Sequence, residues 1–138
     1  MKGEREHRVP LSKSAVAILD KMRALSGSDP EGYIFPGAQP KRALSNMAML
    51  KLLQTRMGYS GFTVHGFRSS FRDWAAERTN FPNEVAEMAL AHVVSDKVEA
   101  AYRRGDLFEK RRQLAEAWGR FCATPKQSAS VVQFAANG

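Results

Sequence analysis

Three large aromatic residues in the middle of the chain recur at the spacing of an α-helix. Phe67, Phe71 and Trp74 follow one another at steps of four and three, which places them on one side of a helical cylinder. Thr63 stands where such a helix would begin, and threonine is a favoured N-cap residue. The pattern predicts an amphipathic helix that starts near His65 and buries its aromatic side.

Basic residues occupy a different side of the same predicted helix. His65 and Arg68 are three residues apart and share a face, and Arg72 lies one turn beyond Arg68. On most amphipathic helices such a face is simply hydrated. Here it also leaves three nitrogen-bearing side chains free for a ligand, so residues elsewhere in the chain decide between the two interpretations.

A histidine and a tyrosine follow in the next two predicted helical segments. Residues 84–91 form a predicted helix with His92 directly after it, and the next short helix carries Tyr102 near its end. Two arginines, Arg103 and Arg104, come immediately after the tyrosine. A tyrosine in such a position is most often a half-buried packing residue with a hydrated hydroxyl. The neighbouring histidine and arginines give it a chemical interpretation as well.

Arginine, histidine and tyrosine together supply what cleavage of a phosphodiester needs. The phosphodiester is anionic, and its transition state gathers further negative charge on the non-bridging oxygens. The permanent charge and forked donors of arginine stabilise that charge. Tyr102 is the strongest candidate for a covalent nucleophile in this region. A tyrosine phenol ordinarily has a pKa near ~10, so it needs a neighbouring base or cations to react at neutral pH.

The motifs HGFR, LAH and EAAYRR, in this order and at this spacing, resemble the catalytic core of the tyrosine recombinases. Their wording resembles the phage-type integrases of prophages and genomic islands in particular. The opening MKGEREHRVPLS resembles the strand-turn-strand of that family. The resemblance covers residues 1–122 and implies the C-terminal portion of the catalytic, DNA breaking-rejoining domain, mainly α-helical with a small N-terminal β element. Residues 123–138 are expected to form a flexible tail.

The resemblance also implies a role for five residues. In the family a tyrosine attacks the scissile phosphate and leaves a 3′-phosphotyrosyl link and a free 5′-hydroxyl, so strands are resealed without ATP or metal. Tyr102 matches this nucleophile, and Arg68 matches the second arginine of the phosphate clamp. His65 matches the histidine that assists proton transfer from the tyrosine, and His92 the donor to a phosphate oxygen. Lys2 matches the hairpin lysine that protonates the leaving oxygen.

The charge of the chain favours a polyanionic partner. The 138 residues carry a formal charge of +7, which favours double-stranded DNA without separating it from RNA or an acidic membrane. The candidate DNA-binding residues are Arg72, Arg103, Arg104, Lys41 and Arg42. By resemblance, other integrase protomers are expected as partners.

Other features of the sequence bear on compartment and cofactors. The N-terminus has no apolar signal segment, no run is long enough to span a membrane, and the single cysteine, Cys122, excludes an internal disulfide. A reducing cytoplasm is therefore the expected compartment, and the resemblance implies that it is prokaryotic. Cys122 is predicted to be packed on the apolar face of a helix. No cofactor or metal is expected, since one cysteine and three dispersed histidines do not make a metal cluster.

Three more helices are predicted outside the central region. Ser12 caps the first and Gly27 ends it, while Ser45 begins the second and Gly58 ends it. The methionines of the second helix are predicted to fill the core: Met47, Met49 and Met57. The third is a C-terminal amphipathic helix with four apolar residues at helical spacing: Leu107, Leu114, Trp118 and Phe121.

Part of the family's pattern has no counterpart in this sequence. The family's first catalytic arginine lies upstream of the hairpin, and its N-terminal DNA-binding domain is absent too. This indicates a piece of a longer protein or a degenerate gene product. Loss of one preorganised charge costs on the order of 100- to 1000-fold in rate. We therefore expect this chain alone to be nearly inactive in recombination, while it binds DNA weakly and non-specifically.

Two other functions fit the same residues. A topoisomerase-like enzyme would share the tyrosine nucleophile but would nick and reseal a strand alone, which a supercoil-relaxation assay detects. A non-catalytic basic domain that retains the fold would bind or regulate DNA, and Tyr102→Phe would leave its properties unchanged. The site-specific recombinase is the leading interpretation, because it alone accounts for the wording of the motifs.

Overall fold

The protein is mainly α-helical over the residues that the computed structural model describes, which are 7–27, 29, 31–39, 41–92 and 105–124. The helices of this part are α1 (Lys13–Ser26), α2 (Ala48–Lys51), α3 (Val64–Arg78), α4 (Asn83–Ala89) and α5 (Phe108–Ala123). A π-helical turn, Leu52–Arg56, continues α2 directly. The predicted predominance of helix is confirmed.

Little β structure accompanies these helices. Within the described ranges, the β pairing consists of one isolated antiparallel bridge between Pro36 and Ala43. The small β element predicted at the N-terminus is not seen: residues 7–12 form no strand, and residues 1–6 lie outside the described part. The Arg8 carbonyl is bonded instead to a side chain of α5, the guanidinium of Arg111, at 2.7 Å. Of the predicted C-terminal tail, Ala123 is the last residue of α5 and Thr124 follows it, while residues 125–138 lie outside the described part.

Side-chain caps fix the starts of two long helices. Ser12 Oγ accepts a hydrogen bond from the Ala15 amide at 3.2 Å at the start of α1. Thr63 Oγ1 accepts one from the Gly66 amide at 3.1 Å at the start of α3. Gly27 follows α1 with a φ of 97°, a conformation that favours glycine. The sequence predicted all three of these boundaries from capping and termination preferences.

The buried core joins α3, α4 and α5. Its buried members are Trp74, Ala75, Val85, Ala86 and Leu114. Partly buried aromatic rings extend it, and the centroids of Trp74 and Trp118 lie 5.0 Å apart at an interplanar angle of 57°. This cluster packs the C-terminal half of α3 and the middle of α4 onto α5. It therefore fixes the position of the last turn of α4 relative to α3.

Several predictions about apolar residues are wrong. Phe67, expected on the buried side of α3, is 55% exposed because the core covers only the C-terminal half of that helix. The second predicted helix begins at Ala48 instead of Ser45. It lies apart from the core cluster, so its expected core methionines are exposed: Met47, Met49 and Met57. Cys122 is also exposed, near the end of α5.

Candidate active site

Two arginines of α3 reach the end of α4. Arg68 is partly buried and donates a hydrogen bond from Nη2 to the carbonyl oxygen of Leu90, the residue that follows α4. One turn further along α3, Arg72 donates from Nε to Oε1 of Glu87 at 2.5 Å. The shared face that the sequence predicts for these arginines is thus directed towards the last turn of α4 and the residue after it.

His92 lies beside the same glutamate. Its ring Nδ1 is hydrogen-bonded to Oε2 of Glu87, and its backbone amide donates to the Glu87 carbonyl at 3.0 Å. The chain turns back sharply between the two residues. Ala91 adopts a left-handed conformation with a φ of 54°, and its amide donates to the Met88 carbonyl at 3.1 Å. This turn brings His92 back over the last turn of α4.

Glu87 is the electrostatic centre of this group. The hydrogen bond with His92, followed in strength by that with Arg72, lowers the pKa of Glu87 below its ordinary value of 4.5 against the opposing effect of burial. Glu87 is therefore ionised at neutral pH. An ionised carboxylate only accepts hydrogen bonds, so Nδ1 of His92 carries the proton that the two groups share. Nε2 of the ring is left to face another partner.

The remaining described candidates do not join this group. His65 is exposed on the first turn of α3, and Lys41 and Arg42 are exposed beside the Pro36–Ala43 bridge. Across the described ranges, no hydrogen bond or ion pair connects these three side chains with Glu87. The other predicted site residues lie outside the described part: Lys2, Tyr102, Arg103 and Arg104.

A second polar cluster surrounds Asp106, which follows the undescribed residues 93–104. Arg111 of α5 is only 2% exposed and donates to Asp106 twice, from Nε to the carbonyl at 2.7 Å and from Nη2 to Oδ2 at 3.0 Å. Arg8 donates to the same Oδ2 at 2.8 Å. The hydrogen bond from Arg8 is the largest of the contacts that lower the pKa of Asp106. The cluster thus ties residue 8 to residue 106 and both to α5.

Sequence reasoning missed both Glu87 and Arg111, although each carries a signal. Glu87 lies in the last turn of α4, where the helix dipole disfavours an anion unless it has a cationic partner. Arg111 stands between Leu107 and Leu114, at steps of four and three, inside an apolar stripe. A charge at such a position indicates a buried hydrogen-bonding role.

No metal centre or membrane span is found among the residues that the structure describes. No three of their His, Cys, Asp and Glu side chains are grouped to hold a metal ion. None of their helices has the length and apolar character needed to cross a bilayer.

A groove of about 540 Å³ runs along α2 and the turn after it, lined by Met49, Leu52 and Arg56 among others, and it does not border the Glu87 group.

Curated proteins resemble most of this chain. Over 120 residues it is 40% identical to the prophage integrase IntA of Escherichia coli strain K12, and over 117 residues it is 33% identical to the prophage integrase IntZ of that strain. The integrase of Shigella phage Sf6 is 28% identical over 119 residues. This chain is a homologue of the prophage and phage integrases. The resemblance inferred from its motifs is thereby confirmed.

The homology covers most of this chain but a minor part of each relative. The three matches span 84–86% of this integrase homologue and 28–30% of the relatives. The chain therefore corresponds to less than a third of the length of the curated integrases that it matches. No protein-family model and no solved structure matches it.

Proposed function

We propose that this chain supplies part of the active site of a site-specific DNA recombinase that integrates or excises DNA. The observation that carries the proposal is the convergence of α3 and α4: Arg68 and Arg72 both contact the last turn of α4 or the residue after it, and His92 follows that turn. Two guanidinium groups and an imidazole from two elements are suited to one phosphate. The integrase names of the relatives agree with this chemistry.

The proposed reaction is an attack of Tyr102 on the scissile phosphate. The bond between phosphorus and the tyrosine oxygen forms while the bond to the 5′ oxygen breaks, which leaves a 3′-phosphotyrosyl link and a 5′-hydroxyl. His65 takes the tyrosine proton, and Lys2 gives a proton to the leaving oxygen. Arg68 and His92 stabilise the charge on the non-bridging oxygens. Attack by the 5′-hydroxyl of another strand reverses the step and reseals the DNA.

Binding of double-stranded DNA follows from the charge of the chain. With a formal charge of +7, the protein attracts the phosphate backbone without reading its sequence. The side chains proposed for these contacts are Arg72, Arg103, Arg104, Lys41 and Arg42. Strand exchange needs two DNA sites, so further integrase protomers are proposed as partners, acting on DNA in the cytoplasm. The 138-residue chain alone is proposed to be nearly inactive in recombination.

The test uses a chimera in which this chain replaces the matching segment of IntA. Incubation with a nicked suicide DNA substrate should give a slowly migrating protein–DNA band on a denaturing gel, and Tyr102→Phe should abolish it. Tyr33→Phe changes an exposed tyrosine of the described loop and should leave the band intact.

The other outcomes separate the competing functions. A band that survives in Tyr102→Phe would assign the nucleophile to another residue. DNA binding without a band in any of the proteins would favour a non-catalytic basic domain. Relaxation of a supercoiled plasmid by the chimera without strand exchange would favour a topoisomerase-like enzyme. The integrase names of the relatives favour recombination over both alternatives.

A further inference from the structure

Glu87 is an anion in a place where two general effects oppose it. It lies among Arg68, Arg72 and His92, which are suited to bind a phosphate, so its own charge repels that ligand. It also lies in the last turn of α4, where the helix dipole disfavours negative charge. Favourable contacts must offset these two unfavourable effects on Glu87, and those contacts indicate what the residue does.

Each oxygen of Glu87 is used by a different part of the site. Oε1 accepts from Nε of Arg72 on α3, and Oε2 is bonded to Nδ1 of His92 after α4. These contacts use the inner nitrogen of each partner. Both Nη groups of Arg72 and Nε2 of His92 therefore keep their hydrogen-bonding capacity for a ligand. One carboxylate thus orients two side chains without occupying the donors that would face a phosphate.

We propose that Glu87 is a positioning residue for DNA strand cleavage, which holds His92 and Arg72 so that Nε2 and the Nη groups point at the scissile phosphate. This inference rests on the function proposed above for the same site. A histidine that bonds to Glu87 through Nδ1 leaves Nε2 on the opposite side of the ring, where it can donate to a phosphate. Glu87 acts through these partners and not as a base, because both of its oxygens are engaged.

The first test is Glu87→Gln in the IntA chimera. Loss of a carboxylate partner costs 10- to 100-fold in activity or affinity at metal-bound histidines, and we expect covalent complex formation to slow by about the same factor. DNA affinity should be unchanged or higher, because a negative charge has left a basic surface. Unchanged cleavage in Glu87→Gln would overturn the proposal.

Further variants test whether cleavage depends on the length of the Glu87 side chain or only on its charge. Glu87→Asp keeps the charge but is one methylene shorter, so it cannot bridge Arg72 and His92 and should also slow cleavage. Glu109→Gln is the matched control, because Glu109 pairs with Arg112 on the exposed side of α5 and should leave the rate unchanged. A wild-type rate in Glu87→Asp would show that charge alone is needed and would contradict positioning.

A double-mutant cycle tests whether Glu87 acts through His92. His92→Gln should slow cleavage strongly in the unmodified chimera and much less in the Glu87→Gln background, because the histidine there is no longer held. Two independent, multiplicative losses would overturn the proposal. A role limited to folding of α4 would also give independent losses.

A measurement on the 138-residue chain separates failure of this inference from failure of the proposed function. The pKa of the Glu87 carboxyl, followed by NMR, should be low in the unmodified chain and return towards its ordinary value of 4.5 in His92→Gln. An unchanged pKa would show that the contact is absent, and the positioning role would fall. If the pKa of Glu87 is low in the 138-residue chain but the chimera forms no covalent complex, the contact between Glu87 and His92 is real and the proposed function is rejected. The positioning role then falls with the proposed function.

Discussion

Charged residues connect the start of the described chain to the residues that follow the undescribed segment 93–104. Arg111 is almost fully buried and donates three hydrogen bonds. One goes to the carbonyl of Arg8, and the other two go to the carbonyl and the carboxylate of Asp106. Asp106 in turn binds the exposed guanidinium of Arg8. Asp106 lies four residues after Tyr102 in the sequence, so this cluster anchors the chain close to the proposed nucleophile.

Two of the carboxylates with a lowered pKa, Glu87 and Asp106, predict how the stability of the protein depends on pH. Contacts with arginine and histidine lower the pKa of Glu87 and of Asp106 below their ordinary values of 4.5 and 3.8, which apply in the unfolded chain. The unfolded chain therefore binds more protons in this acidic range. The free energy of unfolding should fall as the pH drops below these values and through the lower pKa values of the folded chain.

Urea denaturation at a series of pH values from neutral to about 3 measures this dependence. Asp106→Asn removes one of the carboxyls with a lowered pKa and should reduce the slope of unfolding free energy against pH. Asp20→Asn is the control, because Asp20 lies on the exposed side of α1. Equal slopes in the unmodified chain and Asp106→Asn would show that the contacts of Asp106 do not contribute.

Sequence reasoning succeeded for residues whose role is local. Ser12 and Thr63 were predicted as N-caps because a cap acts on an amide three residues away. Glu87 was missed because its arginine partner lies 15 residues away, and Arg111 because its partner Arg8 is 103 residues away. Their roles follow only once α3, α4 and α5 are packed together.

At the scale of elements, the start of α1 crosses α5 at a glycine. A Cβ atom added to Gly119 would lie 2.7 Å from Oγ of both Ser12 and Ser14. Ser12 is the buried cap of α1, and its Oγ also lies 3.0 Å from Oγ of Ser14. The close approach of the two helices therefore depends on the absence of a side chain at residue 119.

Gly119→Ala should destabilise the protein in spite of the helix preference of alanine. The preference contributes about 1 kcal/mol in favour of alanine, while overpacking a tight contact costs about 1–3 kcal/mol. The buried cap leaves Ser12 little room to move, so we expect the overpacking to prevail and the urea midpoint to fall. Gly61→Ala is the control, since its Cβ would meet nothing within 4 Å. A Gly119→Ala protein as stable as wild type would contradict this close crossing.

The helices were easier to predict than their burial. Periodicity places α1, α3 and α5 correctly, because an amphipathic pattern depends on residues within the same helix. The exposure of α2 was not foreseen, since burial depends on which other elements pack against a helix. The apolar pattern around Met49 is therefore compatible with an exposed helix as well as with a core helix.

At the scale of the whole molecule, the excess of positive charge is spread over more than the Glu87 group. The sequence contains 21 Lys and Arg residues against 14 Asp and Glu residues. Several of the described arginines are neutralised by carboxylates: Arg8, Arg72, Arg111 and Arg112. Lys41 and Arg42 are exposed, and no ion pair of theirs appears among the described residues. We therefore expect that the proposed DNA contacts of Lys41 and Arg42 can be removed without changing the chemistry at Arg68 and His92.

The salt dependence of DNA binding tests that separation. Each phosphate neutralised by a cationic side chain contributes about 0.9 to the slope of log affinity against log salt concentration. If Arg42 contacts the DNA backbone, Arg42→Gln should reduce the slope by about 1 and weaken binding equally on all sequences. Arg112→Gln should change neither, because Arg112 is already paired with Glu109. An equal slope for wild type and Arg42→Gln would place the DNA elsewhere, since a charge that releases no counterion makes no phosphate contact.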